Sequence, residues 1–203
     1  MLGSGASAFI FVLPIFLVSL TVHEYAHGWM AYRYGDDTAK RMGRLTLNPL
    51  AHISLIGTII IPLIAGFGWA KPVPVNFSIL TKGQIFKVAA AGPAANISLA
   101  VILTGVFHVL GLEAMPLLGG FVLLAILFNL VLAVFNLLPI PPLDGSRMVA
   151  ARLKSPKAIR AYNRFGQYGL FVLIGFLVLG GFRLILPVVG LLYALLGLPL
   201  PAL

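Results

Sequence analysis

The chain has 203 residues, 60% of them hydrophobic and only 9% charged, with a mean hydropathy of +1.05, which excludes an ordinary soluble domain and indicates a polytopic membrane protein. Lys and Arg number 14 against 5 Asp and Glu, a net charge of +9, but they neither interleave with exposed aromatics nor form a nucleic-acid motif, so the excess reports loop orientation instead. Cysteine is absent, which excludes disulfides and thiolate metal ligands.

Met1 to Ser7 lacks the basic stretch of a secretory signal, so Phe9 to Leu20 reads as a retained helix. The pattern predicts helix from Ser7 to Tyr34, ended by Gly35-Asp36-Asp37. Its C-terminal half carries His23-Glu24-Tyr25-Ala26-His27. Histidines four apart project from one helix face, the spacing that lets two imidazoles hold one zinc ion. Glu24 between them leans toward the same ion without ligating it, placed to take a proton from a water and hand it to a leaving amine. Because no charge precedes this cluster from Phe9 to Leu20, it is an intramembrane ionisable group, which is costly to bury without a function.

Arg44 to Leu47 alternates like a short strand until Asn48-Pro49 breaks it. Ile53 to Phe67 is apolar but interrupted by Gly57, Pro62 and Gly66, marginal for a core of about 30 Å. Lys71 to Asn76 is extended by proline geometry. Val88 to Leu110 is a clean span entered through Ala91-Gly92-Pro93-Ala94-Ala95-Asn96, and Leu117 to Leu138 is the next, with Glu113 in the turn between. Arg147 to Arg164 carries six of the 14 basic residues and reads as a surface-lying linker. Tyr168 to Leu186 spans again, and Val188 to Leu198 is short and interfacial. The expected fold is an all-α polytopic membrane protein of about five to six transmembrane or re-entrant segments around an intramembrane zinc site, with a short membrane-associated β element. It is one domain, with a catalytic core at about 8–150 and a basic linker and helices at 151–203; no segment is polar and long enough for a second, soluble one.

The basic clusters at 33–44, 71–87 and 147–164 are expected on the cytoplasmic side, opposite the turn at 111–116. That requires an even number of crossings between the first two clusters, hence a re-entrant hairpin at 53–67; the alternative is an ordinary span there.

A catalytic zinc takes three protein ligands and keeps one position for water. His52, His108, Glu113 and Asp144 are the candidates for the third, and Asp144 is the best placed. It follows a proline-broken helix end where the chain returns to the histidines, and Gly145 permits close approach. The competing role for Asp144 is an N-cap for the basic helix beginning near Ser146.

These residues resemble the site-2 protease family of intramembrane metalloproteases. His23 to His27 matches its His-Glu-x-x-His, and Asn136-Leu137-Leu138-Pro139 through Leu143-Asp144-Gly145 matches its second signature, whose aspartate is the third zinc ligand. Gly92-Pro93-x-x-Asn96, Asn48 to Ile53 and Gly68 to Val75 are similar to the branch lacking PDZ and regulatory domains. Ser54-Leu55 departs from the Asp-Pro usual there. The resemblance covers about residues 8–150. It implies a zinc endopeptidase, one Zn2+ per chain, that cleaves transmembrane protein substrates near the cytoplasmic side of a bacterial or archaeal cell membrane, commonly after another protease has trimmed the substrate. The rivals are a zinc or cation transporter using the same cluster, and an inactive scaffold; a single compact cluster disfavours the first, and Glu24, useless in a closed structural site, the second.

Beyond His23, His27, Asp144 and Glu24, Asn96 and Asn136 are the uncharged donors available for oxyanion stabilisation, Asn136 preferred; the alternative is that both amides only satisfy broken backbone groups. Pro72 and Pro74 strip one strand edge of donors while Val73, Val75 and Phe77 arm the other, so this segment is either a clamp in which Val73 and Val75 pair with an unwound substrate or a rigid connector whose prolines only prevent aggregation at an exposed edge. His52 is expected to hydrogen-bond within its loop or touch substrate. His108 reads as interfacial, Asp36 and Asp37 as a solvated turn, and the Phe-rich stripe from Phe165 to Phe182 as lipid-facing or packing surface.

Overall fold

A computed structural model describes residues 2–54 and 71–198. Its helices are α1 (Leu2–Arg33), α2 (Thr38–Arg41), α3 (Lys82–Val109), α4 (Pro116–Asn136), α5 (Asp144–Arg152), α6 (Pro156–Gln167), α7 (Gly169–Val178) and α8 (Phe182–Leu195). Among the described residues there is no strand. Leu45 to Leu47 forms bends, and 71–76 is extended without a partner strand, the Val73 and Asn76 amides being taken by carboxylates, as described below. The hairpin expected at 53–67 lies largely outside the described residues.

Two helix starts fall earlier than the hydrophobic pattern implies. α1 begins at Leu2, since small and apolar residues offer no break. α3 begins at Lys82 because Thr81 and Gln84 form a reciprocal capping box, Thr81 N–H donating to Gln84 Oε1 at 2.8 Å and Gln84 N–H to Thr81 Oγ1 at 3.3 Å. The basic linker is two helices, with Pro156 starting the second.

α3 and α4 are each long and apolar enough to cross a membrane. The expected span from Tyr168 to Leu186 is instead split into α7 and α8, which meet at 78°. Gly180 at φ +79° and a Gly181 N–H bond to Phe176 O at 2.7 Å close α7, and a left-handed residue cannot continue a helix. Counting that bent pair as one span gives three, fewer than the five to six expected, among the described residues.

α3 is central, packing on α1, α4 and α5, while α8 packs on α4. One core joins Ala100 and Phe107 of α3 to Ile126 and Leu130 of α4 and to Val189 and Tyr193 of α8. A second joins Ala31, Leu80 and Val88, with Val75 and Phe77 against it, and so seats the extended 71–76 segment beside α1 and α3. Val101, Ile102, Leu117 and Phe171 face outward, as a lipid solvent requires. Arg44 Nη2 donates to Lys71 O at 2.7 Å, Lys71 N–H to His52 O at 2.9 Å, and Lys82 Nζ to Leu153 O at 2.8 Å, which gathers the three basic clusters at one end of the bundle.

Candidate metal centre

His23 and His27 lie one turn apart on α1, and Asp144 opens α5 across from them. Their facing atoms form a tight triangle: Nε2 to Nε2 3.0 Å, His23 Nε2 to Asp144 Oδ2 3.1 Å, and His27 Nε2 to Asp144 Oδ2 3.2 Å. What makes this a cation site is the protons. His27 Nδ1–H donates to Val88 O at 2.7 Å, a group that can only accept. His23 Nδ1 meets Asn96 Oδ1 at 2.6 Å, and the Asn96 amide orientation is fixed because its Nδ2 donates to Ser19 O at 3.2 Å and to Asn129 Oδ1 at 2.7 Å. With both Nδ1 atoms protonated, both Nε2 atoms point bare lone pairs at each other and at a carboxylate. Two buried imidazole nitrogens and a partly buried carboxylate oxygen so arranged repel unless a proton or a metal cation lies among them, and the three atoms are close enough to ligate one ion. Ligand atoms about 2.0–2.1 Å from one tetrahedral zinc lie roughly 3.3–3.4 Å apart, so the triangle fits that ion after a small expansion.

Close approach of the helices depends on glycine. A Cβ on Gly92 of α3 would collide with both imidazoles, and one on Gly145 would strike the carbonyl oxygens of Leu137 and Leu138. Asp144 is not the helix cap: Leu143 holds that position and no side chain caps α5.

Glu24 is beside the triangle, not in it. Its Oε2 accepts from Val73 N–H at 2.7 Å. It shares a cavity of about 170 Å³ with His23, His27, Asp144, Val75 and Asn136. A larger groove of about 500 Å³ runs along α6 between Lys157 and Tyr168, away from all these groups.

The remaining expected residues divide. Asn136 lines the cavity, with Nδ2 donating to Leu132 O at 2.9 Å through one of its two hydrogens. Asn96 is fully buried, and both its amide hydrogens are engaged away from the cavity, so it orients His23 and is not an oxyanion donor. Val73 does not offer its amide to a substrate, since Glu24 holds it; Val75 N–H donates to no acceptor among the described residues. His52 is buried, with Nε2 on Thr46 O at 2.9 Å, and holds its loop without lining the cavity. His108 pairs with Glu113 at 3.2 Å on the exposed surface.

Four participants escaped the sequence reading. Ser19 and Asn129 complete a buried network across α1, α3 and α4, Asn129 Nδ2 donating to Ser19 Oγ at 2.9 Å; an asparagine in the middle of an apolar span was its available signal. Arg147 lines the cavity one helical turn after Asp144 and lies 4.3 Å over the Phe77 ring. Asp36, expected in a solvated turn, is 1% exposed. Burial pushes its carboxyl up, but hydrogen bonds from Thr38 and Asn76 outweigh this and hold it below the usual carboxylate range.

The model of the family described as "Peptidase family M50" matches residues 10–113 and 112–180. The chain is 45% identical over 168 residues to the Bacillus subtilis (strain 168) protein named "Putative zinc metalloprotease YwhC", covering 78% of this chain and 75% of that one. It is 33% identical over 180 residues to a protein of Mycolicibacterium smegmatis with the same kind of name, Rip2, covering 86% and 69%. Similarity extends to the archaeon Methanocaldococcus jannaschii, whose MJ0611 is 33% identical over 160 residues, covering 71% and 78%. No solved structure matches the chain.

Proposed function

The chain belongs to peptidase family M50 and is a zinc metalloendopeptidase of a membrane, and from that premise we propose that it hydrolyses peptide bonds within or near transmembrane segments of other membrane proteins. The observation that carries this reading is the convergence of two imidazole Nε2 atoms and one carboxylate oxygen on a cavity that Glu24 also lines. His23, His27 and Asp144 would hold one Zn2+, and the ion, when bound, supplies the Lewis acidity that polarises a scissile carbonyl and acidifies a water.

Glu24 is the general base and acid. The Val73 amide fixes Oε2, leaving the other oxygen to take a proton from the attacking water and return it to the leaving amine. Asn136 has one amide hydrogen uncommitted at the cavity and stabilises the oxyanion. A helical substrate keeps its carbonyls hydrogen-bonded, so it must be held extended before attack. Pro72 to Phe77 serves that purpose through Val75, whose amide is open and whose side chain lines the cavity. The basic clusters gathered at one end of the bundle support a cytoplasmic-side active site in a multi-pass protein of a bacterial or archaeal cell membrane.

The test is purified protein with a helical membrane substrate, with and without a chelator, beside Glu24→Gln. Cleavage that stops with the chelator, returns with zinc, and is absent in Glu24→Gln at one zinc per chain supports the reading. Zinc flux into vesicles without cleavage identifies a transporter, and neither activity a scaffold.

A further inference from the structure

Asp36 reaches across the fold in a way a turn does not require. Gly35, at φ +92°, and the Asp36 N–H bond to Ala31 O at 3.0 Å close α1, so Asp36 is fixed rigidly to the helix that carries His23, Glu24 and His27. Its Oδ1 accepts from Thr38 N–H at 3.1 Å and from the Thr38 hydroxyl, an ordinary local turn. Its Oδ2 accepts from Asn76 N–H at 2.6 Å, 40 residues away. Val73 N–H donates in the other direction, to Glu24.

Alternate residues of an extended chain present their amides to opposite edges. Pro72 and Pro74 have none to present on the edge where Asn76 meets Asp36; on the other edge Val73 meets the base and Val75 is open. The segment is therefore tied at two points to α1 and the turn that closes it, with the Val75 amide, which has no acceptor among the described residues, held between them, and the Arg44 bonds to the Lys71 and Pro72 carbonyls and the Phe77 contact with Arg147 secure its ends.

We propose that Asp36 is a positioning residue for cleavage: it sets the register of the extended segment against the catalytic helix, and so decides which substrate peptide bond meets Glu24 and the metal. This rests on the reading of 72–77 as the segment that receives substrate. Asp36 acts through the Asn76 amide and touches neither substrate nor ion. A carboxylate suits the position because both of its oxygens must accept; an asparagine would turn an NH₂ toward either Thr38 or Asn76.

The experiment compares Asp36→Asn, Asn76→Pro, Asn76→Ala and Val75→Pro, reading zinc per chain, KM and kcat on a helical substrate, and the cut positions by mass spectrometry. Asp36→Asn is expected to keep about one zinc per chain, lower kcat/KM roughly tenfold or more, and spread cleavage over neighbouring bonds. Asn76→Pro, which removes the donor and leaves Asp36 intact, is expected to do the same and to exceed Asn76→Ala, which keeps the N–H but loses the side-chain bonds to Ser78. That pair decides the matter if Asp36→Asn does not fold. A parental rate and a single cut site in Asp36→Asn and Asn76→Pro, with Val75→Pro impaired, overturn the role of Asp36 and leave the substrate segment standing. Parental cleavage by Val75→Pro removes the segment reading and this inference with it. Equal losses in Asn76→Ala and Asn76→Pro also overturn it, because the side chain is then responsible.

Discussion

Replacing Asn96 by alanine separates orientation of the metal ligands from their mere presence. Asn96 touches no reacting group, yet its Oδ1 accepts the His23 Nδ1 proton at 2.6 Å in a site with no solvent exposure. Without that acceptor the imidazole is free to carry its proton on Nε2, the nitrogen facing His27 and Asp144, where a proton blocks a cation. Removing such a partner weakens metal binding about 10- to 100-fold, or roughly 1.4–2.7 kcal/mol. The same change strips the donor from Asn129 Oδ1, and a buried group left unpaired costs about 1–3 kcal/mol of stability, whereas Ser19 O lies inside α1 and loses only a second bond. Asn96→Asp divides the two effects: it keeps the acceptor for His23 but turns an oxygen toward two other acceptors. Competition titration of zinc against a chelator, with thermal unfolding of the apo and zinc-loaded protein in detergent, reads both. Asn96→Ala is expected to lose zinc affinity and stability together, and Asn96→Asp chiefly stability. Parental zinc affinity in a folded Asn96→Ala would refute the argument that Asn96 sets the His23 tautomer.

Asp144→Asn keeps shape and removes the charge, so zinc affinity measured by the same titration should fall more than about tenfold; unchanged metal content would exclude Asp144 as a ligand. Gly92→Ala places a methyl group against both imidazoles, and zinc per chain measured after dialysis should drop while α3 remains helical by circular dichroism; full occupancy would show that α3 can move away. Asn136→Ala should reduce turnover about 10²- to 10³-fold in a folded, zinc-loaded protein; loss of folding instead would assign the amide to the end of α4. Because the Asp36 carboxyl titrates below its ordinary range, the stability it contributes is present above the unfolded pKa and lost only as pH falls through the lower folded value. Hydrogen-exchange protection of the Asn76 amide, corrected for intrinsic rate, should therefore be flat from neutral pH down to about 4, with Asp37 and Arg41 the nearby charges. Protection that fades between about pH 7 and 5 would exclude Asp36 as the acceptor.

The candidate metal triad was legible in the sequence because its strongest cues are local. Histidines at i and i+4 share a face on any helix, and an uncharged run before them places that helix in an apolar solvent. Asp144 was legible for a related reason: proline breaks and a glycine mark where the chain turns back. Helix starts were legible only when the capping chemistry was weighed with the hydrophobic run, as Thr81 and Gln84 show. The segment expected to be extended by proline geometry is extended, but the Val73 amide expected to face a substrate meets Glu24, and the Asn76 amide meets Asp36.

What tertiary structure alone decided is which distant groups satisfy each other. Val73 and Val75 have the same local chemistry, yet one amide holds Glu24 and the other has no acceptor among the described residues, because only one of them lies opposite Glu24. Asn96 and Asn136 were both candidate oxyanion donors, Asn136 preferred, and the packing of α3 on α1 and α4 engaged both hydrogens of Asn96 and left one hydrogen of Asn136. Asp36 and Asp37 are adjacent and chemically identical, but the Asp36 residue is 1% exposed and reaches Asn76, while the Asp37 side chain is 50% exposed and pairs with Arg41. Sequence specifies the donors and acceptors a segment carries. Which of them pair across tens of residues is set by helices closing to contact distance, where an unpaired buried polar group is too costly to leave unmet.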